Sequence, residues 1–361
     1  MRNSSVLILL LGLTILIVPD EVRCNNNYAK DDQGPYPHPA CSYSRQNEND
    51  PLLLSCPSGM VIPGNFDAAQ IRKDVQIIVI NGGGSPNILA SNAPPLPADL
   101  TALQHLRLNS FTDENNSSIR IKRFVENVKD RLQFLVVQSS KVGSLEDGFL
   151  QGFSQLRQLD FMSSDISVIS KTAFQRNGTA PRLNISLTWN RLESLDWAVF
   201  QPITEIGSLD LSSQRPGLHS ISCSTNFRLP AETGHLLLRN NNLEFLPHCV
   251  IDSLNYQDGH MQLDVDNNPF CPTDDKCACS AMEPFFRFIC DYTTRDQVYG
   301  VTWWCGTAPN QTLWHAQQLP PTVTCTNSGR WRLRTNWWLL IITALMFCAF
   351  RGDTGPCMAA I

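Results

Sequence analysis

Gly234-His235-Leu236-Leu237-Leu238-Arg239-Asn240-Asn241 sets two leucines, Leu236 and Leu238, one residue apart and places an asparagine three residues beyond the second. Side chains alternate faces along an extended chain, so an apolar pair of this spacing marks a short strand with one face turned inward. The pair recurs as Ile78 and Ile80, Leu106 and Leu108, Leu135 and Val137, Leu159 and Phe161, Ile185 and Leu187, Leu209 and Leu211, and Leu263 and Val265. In chain order, the second members are separated by 28, 29, 24, 26, 24, 27 and 27 residues. A period of this length marks a stack of similar coils, each covering its apolar side with its neighbours.

The remaining repeat positions are filled unevenly. Three residues before each pair stands an apolar opening position, held by Val75, Leu103, Leu132, Leu156 and Ile206 but by Arg182, Thr233 and His260 in the other coils. Three residues after it, Asn190, Asn241 and Asn268 are placed to turn the chain and bond neighbouring backbone, with Ser140, Ser164 and Gln214 as weaker substitutes. Gly83 and Phe111 in the first two coils fit poorly. About 12 or 13 residues after the strand, Phe149, Phe174 and Phe200 suggest a stacked aromatic spine on the far side.

In these motifs the chain resembles extracellular leucine-rich-repeat proteins with cysteine-rich caps at both ends. The resemblance implies an α/β-type solenoid with a curved parallel sheet on its concave face, an irregular or short-helical convex side, and disulfide caps. Cys41 and Cys56, with Pro37 and Pro39 nearby, stand where the amino-terminal cap would lie. Asn268-Pro269-Phe270-Cys271 and the cysteines after it stand where the carboxy-terminal cap would lie. There the resemblance implies pairing of Cys277 with Cys305 and of Cys279 with Cys325, leaving Cys271 and Cys290 for each other. Such covers are needed because terminal coils otherwise expose apolar core. The implied organisation is a signal peptide at 1–24, a cap and lead-in at 25–70, about eight repeats at 71–268, a second cap at 269–326 and an anchor signal or short membrane segment at 327–361.

The ends and the cysteines agree on export. A charged start followed by apolar Val6 to Val18 has signal-peptide length, with cleavage expected after Cys24. Of 13 cysteines, removing Cys24 with the signal and Cys348 and Cys357 with the tail leaves ten, an even set suited to an oxidising compartment. Asn115, Asn116, Asn177, Asn184 and Asn310 each precede a serine or threonine by two residues and are candidate glycosylation sites. The 14 residues from Trp337 to Phe350 are fewer than a spanning helix wants. With Asn327, Ser328 and Gly329 upstream they resemble a glycolipid-anchor signal, favoured over a short membrane span or a soluble form. Arg351-Gly352-Asp353 falls beyond this tail and is assigned no role.

Cys223 and Cys249 belong to neither cap. They follow Leu211 and Leu238 by 12 and 11 residues, the same phase of adjacent coils. A bridge between adjacent coils is geometrically natural there, the alternative being two buried free thiols.

Chemistry finds little support. Cys271, Cys277, Cys279 and Cys290 lack paired zinc knuckles, Gly82-Gly83-Gly84-Ser85 makes neither a phosphate loop nor a nucleophile elbow, and the acidic and amide residues from Asp252 to Asn268 lack the spacing of a calcium loop. Neither an enzyme nor a cofactor is expected. A net charge of −5 with both signs scattered argues against nucleic acid as a partner.

Strand residues flanking the core pairs should instead form an outward, concave binding face: Arg107, Phe134, Val136, Gln138, Asp160, Met162, Asp210, Arg239 and Asp264, with Trp189 one residue past its strand. Phe134, Val136 and Met162 are expected to be neighbours, forming with Trp189 an apolar patch ringed by polar groups. The function expected is non-enzymatic recognition or adhesion at the cell surface. A protein ligand or co-receptor would bind the concave face, and the membrane would hold the chain through its anchor. The alternative is a soluble immune-recognition or carrier protein that captures a microbial or circulating ligand.

Overall fold

The computed structural model describes residues 29–30, 35–45, 47, 49–82, 85–115, 118–176, 181–230, 232–255, 262–269, 298–299, 302–304 and 313–315. Among the described residues ten strands pair in parallel in chain order: Leu53–Cys56, Ile77–Ile80, His105–Asn109, Phe134–Gln138, Gln158–Asp160, Leu183–Ser186, Ile206–Asp210, His235–Leu237, Gln262–Asp264 and Val298–Tyr299. Ile78, Leu106, Leu135, Leu159, Ile185, Leu209, Leu236 and Leu263 lie opposite one another across the ladder. They and the second members of their pairs are buried. One inward line of aliphatic side chains therefore runs through every coil, and each strand's core is completed by the next strand's.

The parallel ladder starts one strand earlier than the pattern of apolar pairs suggests. Leu53–Cys56 pairs with Ile77–Ile80, and its inward residues are Leu54 and Cys56, so a cysteine at the second inward place hides the pair. The antiparallel strand Ser42–Arg45 covers its other edge, and a disulfide from Cys41 to Cys56 ties the two together. In the coil opened by Arg182, the buried position falls to Leu183, which lies opposite Ile206. Both then align to Ile185 and Leu209 because Gly207 is an extra residue, a bulge in the later strand.

After the strands the chain turns inward, and in five coils a buried amide holds the turn. Asn190 accepts from the backbone of Ser164 and Ile166 and donates to the carbonyls of Phe161 and Leu187. Asn241 and Asn268 repeat this pattern, while Gln214 reaches the same carbonyl row with its longer side chain. In the first coil Asn87 does the work expected of the position of Gly83, accepting from Met60 and donating to the carbonyls of Asn81 and Asn109. The insertion before Asn87 hid it from a count of three residues. Phe111 fills the corresponding place in the second coil as a buried apolar residue.

The convex side carries short parallel strands, such as Ser194–Asp196 beside Ser220–Ser222, and brief helical turns. Its longest helix among the described residues is His248–Asn255. The aromatic spine is shorter than expected. Phe174 stacks on Phe200 at 5.3 Å between ring centres, but Phe149 packs on Phe153 and Phe161. In the next two coils Cys223 and Cys249 form a disulfide with Cα atoms 5.7 Å apart. Beside it the buried Trp197 donates its indole N–H to Ser253 at 3.2 Å, and Ser253 donates to the carbonyl of Cys249. No helix among the described residues is long and apolar enough to cross a membrane.

Candidate binding surface

The outward residues of the ladder form three rows. The first runs Leu53, Ile77, His105, Phe134, Gln158, Asn184, Ser208 and His235; the second runs Ser55, Val79, Arg107, Val136, Asp160, Ser186, Asp210, Leu237 and Asp264. A third margin carries Gln138, Met162, Thr188, Ser212 and Arg239, one step past the second row. Asn109 and Gln138 are partners in it.

These rows separate the residues expected to make one patch. Phe134 belongs to the first row and Met162 to the third, one strand over and four residues along, about 13 Å away at strand rise. Val136 points outward between Arg107 and Asp160 but is only 7% exposed, so it offers a partner little surface. Phe134 instead meets the His105 ring at 5.3 Å and continues a half-buried apolar margin through Ile77 and Leu53, with Val79 beside it in the second row. Leu53 is concealed in the sequence because Cys56 disguises its strand's inward pair. The outward phase of Ile77 and Val79 follows from the inward pair Ile78 and Ile80, and that pair is the sequence signal for them.

Polar groups cross the middle of the face. Arg107 Nη2 donates to Gln138 Oε1 at 2.7 Å, and Gln138 bonds the Asp160 carboxyl in turn. Burial pushes the Asp160 carboxyl up to about 6, against the opposing pull of Arg107. Burial, reinforced by the positive charge of Arg107, holds the His105 imidazole down at about 4. His105 is therefore neutral at pH 7 and behaves as an aromatic surface. Further along, burial raises the Asp210 carboxyl, which accepts from the Ser212 backbone at 2.9 Å. Arg239 stands 3.8 Å from Asp264. The face thus passes from an apolar end to one rich in carboxylates.

Trp189 stands at the third margin, and its backbone is unusual. The residue just before the buried amide position has φ between 50° and 61° in seven coils: Ser110, Ser139, Ser163, Trp189, Ser213, Asn240 and Asn267. Serine and asparagine take this left-handed conformation more readily than bulky side chains do. Trp189 adopts it at φ 60°, is 44% exposed, and carries the Arg215 guanidinium 4.5 Å from its ring centre. Ser213, Asn240 and Asn267 continue the margin as a hydrogen-bonded series.

A cavity of about 710 Å³ on another part of the molecule is lined by Arg120, Lys122, Arg123, Glu126 and Glu146 among others. Lys122 and Arg123 already donate to the carbonyls of Asp147 and Ser91, so their charges are committed to the fold. Of the candidate glycosylation sites, Asn184 lies exposed on the concave face and Asn115 lies among the described residues. Asn116, Asn177 and Asn310 lie outside them, as do Asn327, Ser328 and Gly329 and the cap cysteines Cys271, Cys277, Cys279, Cys290, Cys305 and Cys325.

Parallel coils in one register, with buried amides turning five of them into the core, define a leucine-rich-repeat fold. No protein-family model matches the sequence, and comparison with curated proteins gives no match. Among solved structures, human 5T4, also called Wnt-activated inhibitory factor 1 or trophoblast glycoprotein, is similar at 15% identity over 80% of this chain and 97% of that one, with a TM-score of 0.41. The Toll–Spatzle complex of Drosophila is similar at 13% identity over 64% of this chain and 42% of that one, with a TM-score of 0.26. Likeness at this level adds nothing to what the register of the ladder establishes.

Proposed function

We propose that this chain is an extracellular recognition protein, held at the cell surface, which binds a protein partner on its concave face and performs no chemistry. The observation that carries this is Trp189. An exposed indole in a left-handed turn costs the fold about 1–2 kcal/mol of backbone strain, at a position that serine or asparagine fills in the other coils. A residue that burdens the fold while leaving nearly half of a large indole exposed is better explained by what it contacts outside. Leu53, Ile77 and Phe134 supply apolar area along the opposite margin, so the proposed footprint crosses the face diagonally from the first coils to Trp189. Attachment is proposed to be through a glycolipid added near Asn327, Ser328 and Gly329.

The test is proximity labelling on cells displaying the full chain, repeated with Phe134→Ala and Trp189→Ala together and with Val168→Ala, a change at an exposed residue off the concave face. A partner labelled by wild type and by Val168→Ala but lost from the double variant supports the proposal. Undiminished labelling by a folded double variant sinks it.

A further inference from the structure

We infer that Asn184 carries an N-linked glycan, and that this glycan screens one corner of the concave face and confines the partner to the diagonal described above. The second half rests on the proposed concave-face binding; the first does not.

Asn184-Ile185-Ser186 is a glycosylation sequon whose asparagine lies in the middle of the sheet, between the strands bearing Gln158 and Ser208. From Leu53 to His235 along the first row, Asn184 alone is exposed; its described row neighbours are half-buried. The hydrogen bond to its side chain, from Ser208 Oγ at 3.4 Å, falls on Oδ1. Nδ2, the atom a sugar would substitute, is left clear among the described residues. The next coil also makes room. A side chain at Gly207, the bulge residue, would collide with Asn184 Oδ1, and the following coil has Gly234 at the adjacent place. The Arg182 side chain runs over both glycines to the carbonyl of Glu232, so the surface beside Asn184 is polar.

The transfer joins Asn184 Nδ2 to the anomeric carbon of an oligosaccharide carried on a lipid pyrophosphate. The carbon–oxygen bond to the pyrophosphate breaks, the amide loses one proton and the lipid pyrophosphate leaves. It acts on the unfolded, translocating chain, so the later burial of Ile185 is no obstacle. Once the sheet forms, the glycan projects over Ser208 and His235, the row positions one and two strands on. Ile77 lies four strands away in the other direction, about 19 Å at sheet spacing, and Trp189 lies beyond the end of the strand. Both stand farther from the glycan's root than Ser208 does.

The full chain is expressed in secretory cells and digested with trypsin, which releases Leu183–Arg191. Enzymatic removal of the glycan should convert Asn184 to aspartate in that peptide; finding it unmodified overturns the inference. Accessibility is read with a polyethylene-glycol maleimide on Ser208→Cys and, as a distant control, Ile77→Cys. The reagent should modify Ser208→Cys severalfold faster when Ser186→Ala removes the sequon, with Ile77→Cys unchanged. A glycan that leaves the Ser208→Cys rate unaltered overturns the screening. Neither measurement involves the partner, so failure here leaves the proposed recognition role standing, and loss of that role leaves the glycan standing.

Discussion

At the scale of single residues, a side chain that serves the fold differs from one that the fold tolerates. Replacing Trp189 by asparagine removes an attraction to Arg215 worth about 0.5–1 kcal/mol at an exposed site, but relieves left-handed strain of about 1–2 kcal/mol. Thermal unfolding of Trp189→Asn should therefore occur at the wild-type temperature or slightly above. Partner affinity should weaken by about 2 kcal/mol or more, as hot-spot aromatics do. A clear drop in melting temperature would make Trp189 structural. His105 and Asp160 supply a second test, read through pH. The Asp160 carboxyl is raised from 3.8 to about 6, so between these values the native state holds a proton the unfolded chain has lost, and stability falls as pH rises. The His105 imidazole is lowered from 6.5 to about 4, so across that window the unfolded chain holds the extra proton and stability rises with pH. In the wild type the two slopes oppose each other. Urea titrations of Asp160→Asn should show stability rising from pH 4 to 6.5, and those of His105→Gln should show it falling from pH 4 to 6. The same slope in both variants would refute these assignments.

At the scale of the coil, turns and staples decide stability. Asn87 satisfies one backbone donor and two carbonyls in the interior, so Asn87→Ala strands them and should cost about 2–4 kcal/mol, whereas a change at a solvent-facing loop amide should cost little. Denaturant midpoints of the two variants check this. The bridge between Cys223 and Cys249 closes a separation of 26 residues, and in the chain-entropy account opening it releases about 3–4 kcal/mol of unfolded-state freedom. Paired Cys223→Ala and Cys249→Ala changes should lower the melting temperature accordingly. Non-reduced peptide mapping should recover the two cysteines in one linked species; either one found alkylatable in the native protein would contradict the bridge.

At the scale of the molecule, the concave face has two ends of different character. Leu53, Ile77, Val79 and Phe134 lie toward the amino-terminal cap, while Asp210 and Asp264 lie toward the other end. A partner seated mainly on the apolar end should bind with weak salt dependence, because burial of apolar area is not screened, whereas contact with the carboxylate end would weaken steeply in salt. Binding measured between low and physiological salt separates the two. Attachment is tested by treating cells with a glycolipid-specific phospholipase, which should release the chain. Recovery of residues 351–361 in the mature surface protein would exclude the lipid anchor.

Chain order and the apolar pairs were enough to read the solenoid and the register of its core, because parallel coils must superpose their inward residues and a one-residue slip would turn the apolar set outward. The phase of Cys223 and Cys249 was legible for the same reason. Asn87 was not, since an insertion lets the chain loop out and return, and only the folded coil shows which amide comes back to the carbonyl row. Nor was the bulge at Gly207, which hands the buried place of Arg182 to Leu183. The binding face depended most on tertiary structure. Outward phase places a residue on a face, but what its neighbours leave uncovered is set across strands 24 to 29 residues apart in sequence. That is why Val136 is covered, Phe134 joins Ile77 rather than Met162, and Trp189 stands with Arg215 at the opposite margin.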